Sequence, residues 1–475
     1  MNTDTEPRVH PLSPTQRLDI RARRLGHAKQ VNNIAIMLLA EVSLDLDLLR
    51  RAAEEAVARN DSFAIRIVRS GLETKQYFGE REVLLLETVD FTGQTEEAMD
   101  RFFEKVARKP LPLYNKAQAK IYIVKAPDGS TGLFTCISHL IMDTWAISVF
   151  YQDVVKIYRA LEEGTPMPDP IVPYEEILEE ELAYPGSPRQ IEDRAYWQAE
   201  LERFGGPPTY SAIDGTHARD RYRKLIRKPE HPFGHVIMLR TGSKHENLRI
   251  PPSDVEALTR FCAENRVRIQ TVFLLALRTY LARVNGAVDD VSINWTVARR
   301  GTLREKRAGG HRATAMILRT VLTPEATFSD ALQMIGDTQS SHSRHAEFPF
   351  MDSLKMQQAT YGMKAYEWYA MVTFTMVVFD ADQLGLPFRT KAYPTGTTPM
   401  PVYVILSGCL TPGSLNILYE FQHKRVSGTA VHHCHAFLLD VIRTGIQNPD
   451  ITMRELLDLP VGELTRRRRR TPTPG

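Results

Sequence analysis

Cysteine is scarce in this chain, with four in 475 residues: Cys136, Cys262, Cys409 and Cys434. None falls in a C-x-x-C pair and each lies in an apolar or helical stretch, so neither a disulfide framework nor a thiolate metal knuckle organises the fold. The four read as reduced, mostly buried thiols of a cytoplasmic protein. No run of about 18 apolar residues occurs, and the polar start MNTDTEPRVHPLSP lacks the apolar segment of a secretory signal. A membrane span is therefore not expected. Glycine-rich phosphate loops of the Walker or dinucleotide type are missing, and so is Gly-x-Ser-x-Gly, which argues against a bound nucleotide and against a serine-hydrolase elbow. Excess charge is missing too. The formal net charge is +3, and five of the positive charges form the terminal run Arg466–Arg470. Like charges in a row repel, so residues 461–475 read as a disordered basic tail. The near-neutral body does not read as a nucleic-acid-binding domain.

What is present is an ordinary globular composition, 43% hydrophobic and 25% charged, with no internal repeat. Apolar spacing predicts helices over 46–58, 145–161, 174–182, 191–204, 252–265, 269–284, 328–341 and 429–444. Strand-like runs fall at 117–124, 132–138, 288–297, 369–379, 402–410 and 414–421. Pro166, Pro168, Pro170 and Pro173 punctuate the middle of the chain as a connector. The expectation is an α/β protein of two halves, 1–165 and 191–460, joined by a linker at 166–190. The acidic run Glu175–Glu181 reads as a solvated helix face. His432 and His435 share a helix face, but zinc needs further ligands, and no metal site is assigned.

The most informative segment is Phe134-Thr-Cys-Ile-Ser138-His139-Leu-Ile-Met-Asp143-Thr144-Trp145. A strand-like run ends in a histidine, and an aspartate follows at the mouth of an amphipathic helix. A neutral imidazole at a strand end can take or orient a proton near pH 7. The aspartate can cap the helix or pair with a distant cation and fix the loop. On these residues alone, such a step is ordinarily a satisfied histidine and an N-cap. Ser138 is poorly placed as a partner nucleophile, because adjacent strand residues point to opposite faces.

The surrounding order of segments resembles the condensation domains of nonribosomal peptide synthesis. That family carries His-His-x-x-x-Asp-Gly at this point. Its opening Leu-Ser-x-x-Gln-x-Arg-Leu is similar to Leu12-Ser-Pro-Thr-Gln16-Arg17-Leu18, and its Tyr-Trp is met by Tyr196-Trp197. Arg59-Asn60-Asp61-Ser-Phe63-Ala64-Ile-Arg66 is a degraded version of its Arg-His-Glu-x-Leu-Arg segment. Its Gly-Thr-Pro-Val-x-Gly-Arg strand resembles Asn294-Trp-Thr-Val-Ala-Arg299-Arg300, and its Gly-x-Phe-Val-Asn-Thr segment resembles Gly310-His-Arg312-Ala-Thr314-Ala. His345-Ala-Glu-Phe-Pro349-Phe350 meets its His-x-x-x-Pro-Phe.

The resemblance implies two chloramphenicol acetyltransferase-like halves arranged as a V-shaped pseudo-dimer with a central tunnel. It implies an acyltransferase that joins a carrier-bound acyl thioester to an amine or alcohol acceptor, small-molecule or carrier-bound, with substrates on phosphopantetheine arms and no bound cofactor. His139 matches the histidine of the reaction centre. Asp143 matches a structural aspartate whose partner carries over to Arg300, as a bidentate bridge between the halves. Departures are Ser138 for the first histidine, Thr144 for the glycine, Arg299 for the glycine before Arg300, Thr314-Ala315 for Asn-Thr, and the bulky Trp295. Ser138, Thr144, Trp295 and Thr314 are expected near the tunnel. A positive φ at Thr144 would be costly. Met1 stands just ahead of the first motif and little follows the last helix, so the chain is expected to be a free-standing monomer that meets carrier proteins in trans. The alternative is an inactive module that binds carrier-bound peptide and recruits other enzymes.

Overall fold

The computed structural model describes residues 7–236, 241–379, 386–409 and 413–460. The Arg466–Arg470 tail lies outside the described residues. Two sheets dominate. A five-stranded sheet runs in the order Phe388–Ala392, Asn33–Ala40, Thr131–Ser138, Ala119–Lys125, Leu85–Asp90. A six-stranded sheet runs Thr314–Val321, Asp290–Val297, Val372–Phe379, Val402–Cys409, Leu415–Gln422, Ser243–Arg249.

The inner strands of the first sheet are buried on both faces. Ile36, Leu38, Leu133 and Ile137 pack with the helices Leu46–Arg59 and Thr144–Glu163. Met37, Leu39, Phe134 and Cys136 pack with Met99 and Phe103 of the helix Glu96–Ala107. A strand covered on both sides has no reason to alternate, and Asn33–Ala40 accordingly reads NIAIMLLA. Such a run carries no period, which is why apolar spacing does not reveal it. The second sheet presents one face to a core that includes Val291, Ile293, Val404, Leu406, Ile417 and Phe421, closed by the helices Ile269–Val284 and Gly428–Gln447. The helices Pro252–Asn265 and Ile269–Val284 fall where their periodicity puts them. The helix Thr144–Glu163 stops at Gly164, whose φ of 66° supplies the left-handed cap. All four cysteines are free and buried.

Two features escape a division by sequence position. The edge strand Phe388–Ala392, from the later part of the chain, pairs antiparallel with Asn33–Ala40 and completes the sheet built by the earlier part. The connector is also structured. Its helix Tyr174–Ala183 buries Tyr174, Ile177 and Leu178, and its first two amides, Tyr174 and Glu175, each donate to the Asp61 carboxylate at 2.9 Å. The solvated reading of the acidic run fails at its end: Glu181 is buried and forms an ion pair with Arg299.

Gly310 lies at a close seam between connector and second half. Its φ is +81°, and a Cβ there would sit 1.9 Å from the buried Tyr174 ring. Gly310→Ala is expected to lower stability by about 2–5 kcal/mol, from left-handed backbone plus overpacking. Denaturant unfolding of the full chain measures it, and an unchanged midpoint would show that the ring yields freely.

Candidate active site

The strand Thr131–Ser138 hands the chain to His139, whose amide donates to the Asn32 carbonyl at 2.6 Å. Ser138 is fully buried, and its Oγ accepts from the Leu140 amide at 3.3 Å, so this side chain serves the turn and faces away from solvent. Asp143 closes the loop as the N-cap of the following helix, accepting from the Ala146 amide at 2.8 Å. Its φ is −90°, and Thr144 is the first helical residue without a positive φ, so threonine in place of glycine brings no strain.

Asp143 also anchors the second half. Its Oδ2 accepts from the amides of Arg312 and Ala313, each at 2.9 Å. Arg300 Nη2 lies 3.3 Å from both carboxylate oxygens. The expected bridge is therefore present, but one nitrogen spans both oxygens and the two groups do not meet fork to fork. Both Nη atoms also donate to carbonyls: Nη1 to Glu305 and Ala308 at 2.8 Å, Nη2 to Gly309 and Gly310 at 3.1 Å. Both side chains are sealed, at 0% exposure for Arg300 and 1% for Asp143. Burial alone would raise the Asp143 carboxyl, yet the Arg300 charge, then His311 and the Ala146 and Arg312 amides, outweigh it and hold the group down to about 2.

Arg299, where the family pattern has glycine, takes a left-handed φ of 53°. Its guanidinium is held against Glu181, lies 3.2 Å from Glu347, and donates through Nε to the Arg312 carbonyl at 2.6 Å. Burial would lower its pKa, but the two carboxylates more than reverse that and raise it. A buried ion cluster thus offsets a backbone conformation that costs an arginine about 1–3 kcal/mol.

His139 keeps 32% of its side chain exposed. Its ring meets that of His311 edge to face, with centroids 4.1 Å apart. Asp19, on the helix Pro14–Leu25, lies between them: its Oδ2 is 3.7 Å from His139 Nδ1 and 3.1 Å from His311 Nε2. Burial, then the charge of His311, pushes the His139 pKa below its ordinary value, against the opposing pull of Asp19 and Asp143. Burial would raise Asp19, but His139 and then His311 bring it below its usual range. A neutral imidazole beside a carboxylate, partly open to solvent, can accept a proton. Sequence reasoning passed over Asp19 and His311. Asp19 stands just past the opening motif, after Leu18, and His311 at the variable position after Gly310.

Trp295 and Thr314 lie on one face of their sheet. Trp295 is 3% exposed and shares the core face with Val291 and Ile293. Thr314 pairs with Val297 two positions along from the Trp295–Met316 pair, and so shares that face. The opposite face of this strand carries Ser292, Asn294 and Thr296, with Asn294 donating to the Ala370 carbonyl at 2.7 Å.

The condensation-domain family model matches residues 7–363. The chain belongs to the condensation-domain family. One of the plipastatin synthase proteins of Bacillus subtilis (strain 168) is 21% identical over 429 residues, a match covering 89% of this chain but 16% of that protein. Surfactin synthase subunit 1 of the same organism is 20% identical, covering 94% and 12%. This condensation domain therefore spans a small part of the synthetases it resembles. Among solved structures, the first condensation domain of the calcium-dependent antibiotic synthetase superposes with a TM-score of 0.77 at 18% identity, covering 96% of this chain and 99% of that one. The condensation domain of the Monacolin K polyketide synthase gives 0.75 at 15%, covering 94% and 99%. The fold is that of a condensation domain, and family members are acyl-transferring enzymes. No helix among the described residues is long and apolar enough to cross a membrane.

Removing one partner of the Asp143–Arg300 pair strands a buried cation, and Asp143→Ala is expected to cost about 3–5 kcal/mol. A melting temperature within a degree or two of the parent would make Asp143 a mere cap. The pH dependence has a definite sign. A carboxyl held at about 2 when folded and near 3.9 when unfolded contributes stability above about pH 4 and loses it as pH falls toward 2. The stability gap between the parent and Asp143→Asn should be constant near neutrality and shrink across that acid window in denaturant titrations.

Proposed function

We propose that this chain forms an amide or ester bond between a carrier-bound acyl thioester and an amine or alcohol acceptor, working on carrier proteins supplied in trans. The observation that carries the reading is a partly exposed His139 on a loop locked across the two halves by Asp143 and Arg300. The acceptor nitrogen or oxygen attacks the thioester carbonyl, and a carbon–nitrogen or carbon–oxygen bond forms. His139, neutral at physiological pH, takes the acceptor's proton. The tetrahedral intermediate then breaks its carbon–sulfur bond, and the pantetheine thiolate leaves and recovers the proton. The thioester is already activated, so the step draws on no nucleotide. Holding both reactants in one cleft supplies much of the acceleration. Family membership supports this chemistry, and a mutant of the starter condensation domain of rhizomide synthetase is described in complex with C8-CoA and Leu-SNAC.

A second reading, a binding module without turnover, is favoured by one observation: Ser138 replaces the first motif histidine and its hydroxyl is locked into the turn. The experiment mixes separately purified acyl-loaded carrier, candidate acceptors and the chain, and follows product by mass spectrometry. His139→Ala is expected to lower turnover by about 10²–10⁴-fold with an unchanged circular dichroism spectrum. Equal turnover in the variant would remove His139 from the mechanism. Tight binding of loaded over unloaded carrier with no product from any acceptor would establish the module reading.

A further inference from the structure

We propose that Asp19, His139 and His311 form a binding site for one transition-metal ion of the zinc class. The three residues come from the helix Pro14–Leu25, the loop after Ser138 and the segment after Gly310, and one donor atom of each lies within 4.8 Å of the others. The Oδ2 of Asp19 is 3.1 Å from His311 Nε2 and 3.7 Å from His139 Nδ1. Nitrogen and oxygen ligands at about 2.0–2.2 Å from a shared tetrahedral ion stand roughly 3.4 Å apart, so these separations already bracket a ligand set.

Asp19 Oδ2 and His139 Nδ1 are buried, and neither makes a hydrogen bond of sound geometry. The His311 side chain is 4% exposed, and its Nε2 lies 3.1 Å from Asp19 Oδ2. Buried polar atoms are normally satisfied, because leaving one bare costs about 1–3 kcal/mol. Three donor atoms converge there, with Asp19 close to both rings by charge but in well-aligned hydrogen bonds with neither, an arrangement that a cation completes. Two imidazoles and one carboxylate suit zinc, cobalt or nickel rather than magnesium or calcium, which prefer all-oxygen shells. Asp19 and His139 are 22% and 32% exposed, which leaves a path for the ion and room for water as a further ligand.

Resting on the function proposed above, the site has a chemical consequence. An ion bound at Nδ1 uses that lone pair and leaves the ring proton on Nε2, so His139 loses its capacity as a base. The ion is then a reversible inhibitor of bond formation, removed by a chelator.

Binding is tested apart from turnover. Untagged full-length chain is stripped with chelator, dialysed, and titrated with zinc chloride by calorimetry and with cobalt chloride by visible absorption. One equivalent is expected, with cobalt ligand-field bands. Asp19→Asn and His311→Gln are each expected to weaken binding by at least about 100-fold with unchanged circular dichroism. His432→Gln, in the exposed histidine cluster of the last long helix, is expected to change nothing. Crystals of the unaltered chain soaked in zinc chloride supply a reading that needs no variant: an anomalous peak between the three side chains. No saturable binding, binding that survives both variants, loss in His432→Gln, or a peak only at the His432 cluster would each overturn the site.

Discussion

The closed ion pair between Asp143 and Arg300 is the constraint on which the site depends. One carboxylate caps the helix that follows His139, receives two amides from the later half of the chain, and neutralises a guanidinium that has no access to water. Pairs of this kind gain little over an apolar substitute, because both ions give up their hydration. What the pair contributes is position. Every acceptor and donor that surrounds it belongs to backbone that has to be in one place, so the His139 loop and the Gly309-Gly310 turn are placed by the same set of bonds.

Much of this was legible in the residues. The amphipathic helices Pro14–Leu25 and Glu96–Ala107 went unread, but helices such as Thr144–Glu163 declared themselves by period and the strand Val402–Cys409 by its apolar run. The double-sided strand Asn33–Ala40 did not, since an apolar run without period can belong to either state. The Asp143–Arg300 partnership was reachable only through family resemblance, because 157 residues separate the two and nothing local signals it. The face that Trp295 takes was not legible, because a bulky side chain in a strand says nothing about it until the register is known. Glu181 was misread for a related reason: a run of glutamates on a helix looks solvated, and the buried arginine that claims the last of them lies far along the chain.

Arg299 shows how a departure from a pattern can be absorbed. Glycine would hold the left-handed backbone without cost, whereas arginine needs compensation and finds it in Glu181 and Glu347. The connector helix supplies the first of these. What begins as a substitution two residues past a strand therefore recruits the segment between the halves into an ion network, and ties the position of that helix to the same turn that Arg300 holds.

The exchanged strand Phe388–Ala392 has a bearing on how the chain is made. Until it arrives, Asn33–Ala40 is an edge, apolar on both faces, with its outer row of amides and carbonyls bare, the kind of surface that templates aggregation. Translation proceeds at about 5–20 residues per second, so the edge waits on the order of ten to fifty seconds between emergence of its neighbour Thr131–Ser138 and arrival of its last partner. The nascent first half thus presents that edge throughout the interval, so synthesis order bears on its solubility alongside the finished fold.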